Sequence, residues 1–172
     1  MVQAVPAMER EPVASSDKGD ESDEAVFERL YGGLRRWAAA VGPIEVEPDD
    51  LVQEAVARTL RHHTLVELDD AGAYLRRTIV HLAANHRRGM ARWRGAVARL
   101  DRNDEGRTEE YASDLDDLLR LAPAARAVLY LVEVDGHSYA EAGAVLGISE
   151  EAARARAARA RRRLRLDIQE EQ

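Results

Sequence analysis

Residues 138–165 read SYAEAGAVLGISEEAARARAARARRRLR, and this order of caps, small residues and cations is that of a helix-turn-helix. Ser138 and Glu141 have the spacing of a capping box: the Ser oxygen takes an orphan N–H while the Glu reaches back to the cap backbone. Ala142, Val145 and Leu146 then face inward on a short helix. Gly147 ends it, because a left-handed turn there carries no Cβ penalty. Ile148 plugs the core, and Ser149 caps a second helix. The first turn of that helix holds Glu150 and Glu151 near the positive end of the dipole. Seven arginines follow between 154 and 165, with alanine between most of them. Small alanines let a helix lie close in the roughly 12 Å major groove, while arginine reaches phosphates and guanine edges. The competing reading is an Arg/Ala-rich surface helix without a ligand; the capped frame favours DNA.

Upstream, the pattern stays helical. Pro123 starts a helix with Val128, Leu129, Leu131 and Val132 inside, stopped near Gly136, and Leu115, Leu118, Leu119 and Leu121 precede it. At 101–113 the composition changes to Asp, Arg, Asn, Glu and Gly, which reads as a linker. Before that, Val26, Phe27, Leu30, Leu34 and Trp37 recur at three and four, a helix ending at Gly42-Pro43. Pro48 fits the first position of the next helix, whose buried stripe is Leu51, Val52, Ala55, Val56 and Leu60. His63 to Gly72 reads as a loop, with Asp69 or Asp70 capping a third helix through Tyr74, Leu75, Thr78, Ile79, Leu82 and Ala83 to Leu100. No strand and no internal repeat stand out. The predicted fold is all-α: a three- or four-helix domain over 25–100, a flexible linker over 101–113, and a helix-turn-helix domain over 114–166. A disordered acidic tail over 1–24 and a short tail over 167–172 flank them.

The formal net charge is -7, with 25 Lys+Arg against 32 Asp+Glu. Along the chain the charge is unevenly placed. Residues 76–102 hold eight Arg against Asp101 alone, and 154–165 hold seven Arg and no acid. A polyanion responds to the field within about 8–10 Å, so two basic islands suggest two contacts with one anionic polymer. There is no cysteine, which excludes disulfides, thiolate zinc sites and cysteine nucleophiles. No apolar stretch approaches the ~20 residues of a membrane span, and the first ten residues lack a signal-peptide pattern. A cytoplasmic protein is expected. His62 and His63 are adjacent, and His81 and His86 are five apart, poor intervals for chelation, so neither a metal nor another cofactor is expected. No Ser/His/Asp order, phosphate-cradling glycine loop or poised carboxylate pair appears, so an enzyme is not expected. Trp37 belongs to the core by its spacing; Trp93, flanked by Arg92 and Arg94, fits a core, a base-stacking surface or simply the end of the domain.

The 138–149 block resembles region 4 of bacterial sigma factors, where S-Y-x-E-x-A-x-x-L-G-I-S precedes an Arg-rich recognition helix. Asp50-Leu51-Val52-Gln53-Glu54 resembles the D-L-V-Q-E of region 2 in the extracytoplasmic-function group, and Tyr74-Leu75-Arg76-Arg77 through Asn85-His86-Arg87-Arg88 is similar to the helix that follows it there. The blocks stand in order, without an intervening region 3. The resemblance implies a sigma factor that directs promoter-specific initiation. It implies docking on core RNA polymerase through Asp50, Leu51, Gln53 and Glu54; Asp50 and Glu54 lie at i and i+4 with Gln53 beside them, an acidic face suited to arginines on a partner. It implies -10 contacts from Arg76, Arg77, His81, Asn85, Arg87 and Arg88, with the 63–72 loop and the following helix holding a flipped non-template base. It implies -35 duplex contacts from Ser149, Glu150, Glu151, Arg154, Arg156, Arg159 and Arg162. An anti-sigma factor is a further partner that the resemblance implies, and a membrane is not.

This chain departs from the family at His81, where Asn is usual, and at Asn85, where Asp is usual. Ala153 replaces a larger apolar residue, and Ala142-Gly143 replaces a more Ile-Ala-like pair. If unfilled, that space would lighten the second core by about one to a few kcal/mol. Two other readings compete: a stand-alone helix-turn-helix regulator, in which the Asp50 to Glu54 block has no evident task, and a degenerate sigma paralogue.

Overall fold

Helix α1 (Asp23–Val41) begins where Ser22 accepts a hydrogen bond from the Ala25 N–H at 3.2 Å, with Asp23 and Glu24 in its first turn. It thus opens two residues ahead of the expected start. The computed structural model describes residues 22–100 and 118–170, with side chains over 22–93 and 118–164. The linker expected over 101–113 and most of the acidic tail lie outside the described residues, as does Leu115. Among the described residues there is no strand, in keeping with the all-α expectation.

Helix α2 (Pro48–Leu60) carries Pro48 in its first turn and buries Leu51, Val52, Ala55 and Thr59. The stripe therefore swings to Thr59 and leaves Leu60 47% exposed, against expectation. Thr59 can be buried because its hydroxyl donates to the Ala55 carbonyl at 2.8 Å, so no polar group is orphaned. In the following loop, the Thr64 N–H donates to Glu67 and the Glu67 N–H to Thr64 Oγ1, while Leu65 is buried. Asp70, of the two candidate caps, accepts from the Ala73 N–H at 2.8 Å. There α3 (Ala71–Leu100) starts. Its Leu75, Ile79, Leu82 and Ala83 are buried. Trp37 is 1% exposed, and its indole N–H donates to the Arg76 carbonyl at 3.1 Å. Helices α1, α2 and α3 pack mutually.

Helix α4 (Pro123–Leu129) follows a short helical stretch at 118–120. It runs on into a π-helical turn over Tyr130–Val134, where the Asp135 N–H reaches back five residues to the Tyr130 carbonyl at 3.1 Å. No residue pattern over 130–134 announces this turn. Gly136, at φ +72°, then redirects the chain. Helix α5 (Tyr139–Leu146) opens with the full capping box: the Ser138 N–H donates to Glu141 at 2.7 Å and the Glu141 N–H to Ser138 Oγ at 3.2 Å. Gly147 sits at φ +66°, and Ser149 accepts from the Ala152 N–H at 3.1 Å as α6 (Glu150–Glu170) begins. That helix extends through 167–170, which were expected in the tail.

The light residues of this second unit are fitted rather than vacant. A Cβ on Gly143 would lie 2.7 Å from the Ile148 carbonyl oxygen, so the backbone beyond the turn occupies that space. Ala153, Ala157 and Ala160 pack against Leu121, Val128 and Leu129. The two helical units also share a core. Ala127, Leu131 and Ala142 join Trp37, Val41, Leu75 and Ile79 in one buried cluster. Across the seam the Trp37 and Tyr130 rings meet edge to face, with centroids 5.5 Å apart.

Candidate polymerase and nucleic-acid interfaces

Three surfaces carry the residues singled out by sequence. On α2, Asp50 and Gln53 are exposed and Glu54 is half-buried. Arg58 donates to the Glu54 carboxylate at 2.6 Å; that hydrogen bond, against a smaller opposing effect of burial, holds Glu54 below the usual carboxylate range. Leu51 does not belong to this surface. It is 1% exposed and packs in the core beneath Gly42, because a helix that buries 51, 52 and 55 turns 50, 53 and 54 outward. Beside this face Asp49 ties α1 to α2, accepting from the Tyr31 hydroxyl at 2.7 Å and from Arg35 Nε at 3.2 Å. The Tyr31 hydrogen bond is the chief cause of its lowered pKa.

The second surface is α3. His81, Asn85 and Arg88 recur at intervals of four and three along one exposed side, and Arg88 donates to the Asn85 side-chain oxygen. Arg76 and Arg77 are half-buried; their guanidinium carbons lie 6.0 Å from the Trp37 and Tyr74 ring centres respectively. Arg77 Nη1 reaches the Ala144 and Val145 carbonyls at 3.4 Å, and Arg87 Nη2 donates to the Arg120 carbonyl at 2.9 Å. The family resemblance puts both in contact with DNA and carries no hint of these partners. A cleft of about 340 Å³ lies beside the 63–72 loop, lined by Arg58, Thr59, Arg61, His62, Tyr74 and Thr78. His63 stands edge to face with Tyr74 next to it. Trp93 is 61% exposed, which removes the core reading for it.

On α6, Ser149, Glu150, Glu151, Arg154, Arg159 and Arg162 are exposed and Arg156 is half-buried. Arg154 pairs with Glu150 at 2.5 Å and stands 5.5 Å from the Tyr139 ring centre. Arg161 turns the other way: it binds the Glu133 carboxylate and donates to the Tyr139 hydroxyl at 3.0 Å. The Glu133 hydrogen bond is the largest cause of its raised pKa. Nothing in the sequence separates this arginine from its neighbours except its phase relative to the alanine stripe. Among the described residues no three potential ligands gather in a metal-holding cluster.

These elements coincide with two family models. The model described as "Sigma-70 region 2" matches residues 26–104, which include most of α1 and all of α2 and α3, and "Sigma-70, region 4" matches residues 118–164, which include α4, α5 and most of α6. The chain belongs to the sigma-70 family. With region 2 followed so soon by region 4, this sigma factor is of the extracytoplasmic-function group. It is a transcription initiation factor, with core RNA polymerase and promoter DNA as its partners. The sigma factor RpoE of Bartonella quintana, solved in complex with the anti-sigma factor NepR, shares the fold: TM-score 0.56 at 20% identity, over 85% of this chain and 96% of that one. None of the curated proteins compared with the sigma factor matches it. Among the described residues no helix is long and apolar enough to cross a membrane.

Proposed function

We propose that the three surfaces divide the work of initiation. Asp50, Gln53 and Glu54 on α2 dock on core RNA polymerase. His81, Asn85 and Arg88, with Arg76, Arg77 and Arg87, hold the -10 element, and the 63–72 loop takes a flipped non-template base in the neighbouring cleft. Flipping costs a few kcal/mol, which pocket contacts and charge must offset. The N-terminal half of α6 reads the -35 duplex with Ser149, Glu150, Glu151, Arg154, Arg156, Arg159 and Arg162. Residues 25–100 and 114–166 act as the two functional domains, joined by 101–113. The protein works by binding, without chemistry of its own, in the cytoplasm. An anti-sigma factor is a fitting regulator, since the similar RpoE was solved with one.

The observation that carries this reading is the sorting of α6. Its Ala153, Ala157 and Ala160 are inside while Arg154, Arg159 and Arg162 are outside, behind a capped and exposed N-terminus. That is the geometry of a helix offered to a groove. The test is binding of the full chain to sigma-free core polymerase, followed by fluorescence anisotropy. Saturable one-to-one binding that Asp50→Arg with Glu54→Arg weakens about tenfold or more supports the docking face. Absence of core binding by a preparation that still holds duplex DNA refutes it in favour of a stand-alone regulator.

A further inference from the structure

Where the two helical units meet there is a cleft of about 740 Å³, within the range of small-molecule sites. Four arginines line it: Arg87 from α3, Arg120 from the stretch before α4, Arg126 from α4 and Arg163 from α6. Against these guanidinium groups the described lining sets one carboxylate, Glu45. Like charges gathered on one wall repel, and their repulsion weakens the fold unless a counter-charge joins them.

Arg126 shows where that counter-charge is missing. It is 4% exposed. Its Nη2 donates to the Val41 carbonyl at 2.6 Å and the Gly42 carbonyl at 2.9 Å, but Nε and Nη1 have no partner. Burial, and after it the neighbouring Arg87, lower its pKa, whereas a carboxylate alongside would raise it. Buried cations are ordinarily paired, and a buried donor left unsatisfied points to an ion that completes it. The cleft also has an apolar side. Ile44 is 73% exposed and lines it together with Met90 and Leu119. Covering a large aliphatic side chain on a concave wall is favourable, which suits an occupant with an apolar or flat body.

We propose that this cleft binds a small phosphorylated ligand of nucleotide size, its phosphoryl groups among Arg87, Arg120 and Arg163 and its body against Ile44 and Met90. Arg126, sealed beneath the wall, acts through its charge. Guanidinium forks match phosphoryl oxygens in pairs, and one phosphoryl group carries about -1.5 to -2. The described lining has a formal surplus of three positive charges. A single carboxylate leaves most of that surplus unmet, and a diphosphate nearly balances it. Arg120, Arg126 and Arg163 have no part in the polymerase, -10 or -35 surfaces proposed above, and Arg87 is shared with the -10 surface.

The test uses the full chain and, as probes, ADP, inorganic pyrophosphate and adenosine in magnesium-free buffer. Calorimetry measures all three, and phosphorus NMR follows the first two. The expected result is one ADP bound per chain, pyrophosphate bound about tenfold more weakly for want of the apolar contact, and no saturable binding of adenosine below about 1 mM. Arg120→Gln and Arg163→Gln, both at exposed positions, should each weaken ADP about tenfold, the loss of a charge-assisted hydrogen bond. Arg126 is left in place because it also holds the end of α1. Ile44→Ser should weaken ADP and leave pyrophosphate unchanged.

The control is Arg36→Gln, an exposed arginine of α1 outside the lining, which should leave ADP binding unchanged. A loss there equal to that of the cleft variants would mean attraction by overall charge, and overturns the site. Absence of saturable ADP binding by the parent overturns it as well. ADP bound no more tightly than pyrophosphate refutes the apolar half of the assignment. The phosphates of DNA offer the same chemistry, so a short single strand of DNA is titrated in parallel. If ADP and pyrophosphate fail while the single strand binds the parent and is weakened by Arg120→Gln and Arg163→Gln, the cleft holds nucleic-acid backbone and the small-ligand assignment is refuted.

Discussion

Gly143→Ala is the sharpest test of how the helix-turn-helix is built. The added Cβ would lie 2.7 Å from the Ile148 carbonyl oxygen, 3.3 Å from the Ser149 carbonyl carbon and 3.4 Å from the Glu150 nitrogen. All three are backbone atoms of the turn and of the first residue of α6, so none can yield as a flexible side chain would. Overpacking costs about 1–3 kcal/mol; against rigid backbone the cost lies in the upper part of that range, about 2–3 kcal/mol, and the better helix propensity of alanine returns roughly 1 kcal/mol. The expected net loss is about 1–2 kcal/mol, or roughly 4–8 °C for each kcal/mol in a unit of this size. The control is Gly33→Ala in α1, where a new Cβ has nothing within 4 Å; there only the gain in propensity and chain entropy remains, about 0.4–1 kcal/mol of stabilisation. Thermal and urea unfolding followed by far-ultraviolet circular dichroism would measure both. Indole fluorescence distinguishes the units, since both tryptophans precede residue 101. A Gly143→Ala protein as stable as its parent would refute the claim that glycine is fitted to the turn, and would restore the reading of position 143 as a thinned core.

Leu51→Ala should cost about 2–5 kcal/mol through the cavity it leaves, whereas Gln53→Ala should leave stability within about 0.5 kcal/mol while weakening core-polymerase binding; chemical denaturation paired with anisotropy separates the two. Ser138→Ala should lose about 1 kcal/mol at neutral pH. Its partner Glu141 has a lowered pKa, chiefly through the Ser138 backbone N–H and then its hydroxyl. A group lowered by folding stabilises above its unfolded pKa and ceases to do so as pH falls through its folded one, so the difference between Ser138→Ala and parent should be flat near neutrality and shrink only in acid, below about pH 4.5. His81→Asn changes an exposed side chain that makes none of the seam contacts; core binding should persist while selection from a randomised -10 library shifts, and an unchanged preference would remove His81 from the base pocket.

What the sequence made legible was local. The ends of α1 and α2, the Ser138–Glu141 box and the left-handed Gly147 all follow from residues within four positions of one another, where steric and hydrogen-bonding rules act directly. The phase of α2 was legible only in part. Thr59 entered the core because its hydroxyl could return to the Ala55 carbonyl, a choice that depends on what packs above it and not on hydrophobicity. The seam was illegible. Arg126, buried on α4, donates to the carbonyls of Val41 and Gly42 at the end of α1; the partners are far apart in sequence, backbone acceptors leave no mark on composition, and an arginine destined for burial reads like one destined for solvent. The same holds for Arg77 and Arg87, which the motif places on DNA and the fold also gives to α5 and residue 120.

Counting arginines therefore overstates the charge that α6 can offer to a duplex. Seven lie between 154 and 165, but burial of Ala153, Ala157 and Ala160 fixes which way each one points. Arg161 falls toward α4 and α5, with its guanidinium shared between Glu133 and Tyr139, while Arg159 and Arg162 face solvent. Each phosphate neutralised contributes about 0.9 to the slope of log affinity against log salt. Arg159→Ala and Arg162→Ala should each lower that slope by about one such step on duplex DNA. Arg161→Ala should leave it unchanged and cost about 0.2–1 kcal/mol of stability, the range for a solvent-screened ion pair. Salt titrations of the three variants on one duplex decide the matter. An Arg161→Ala slope reduced as much as the other two would mean that this guanidinium leaves Glu133 for the phosphates, and that the alanine stripe does not fix how α6 faces DNA.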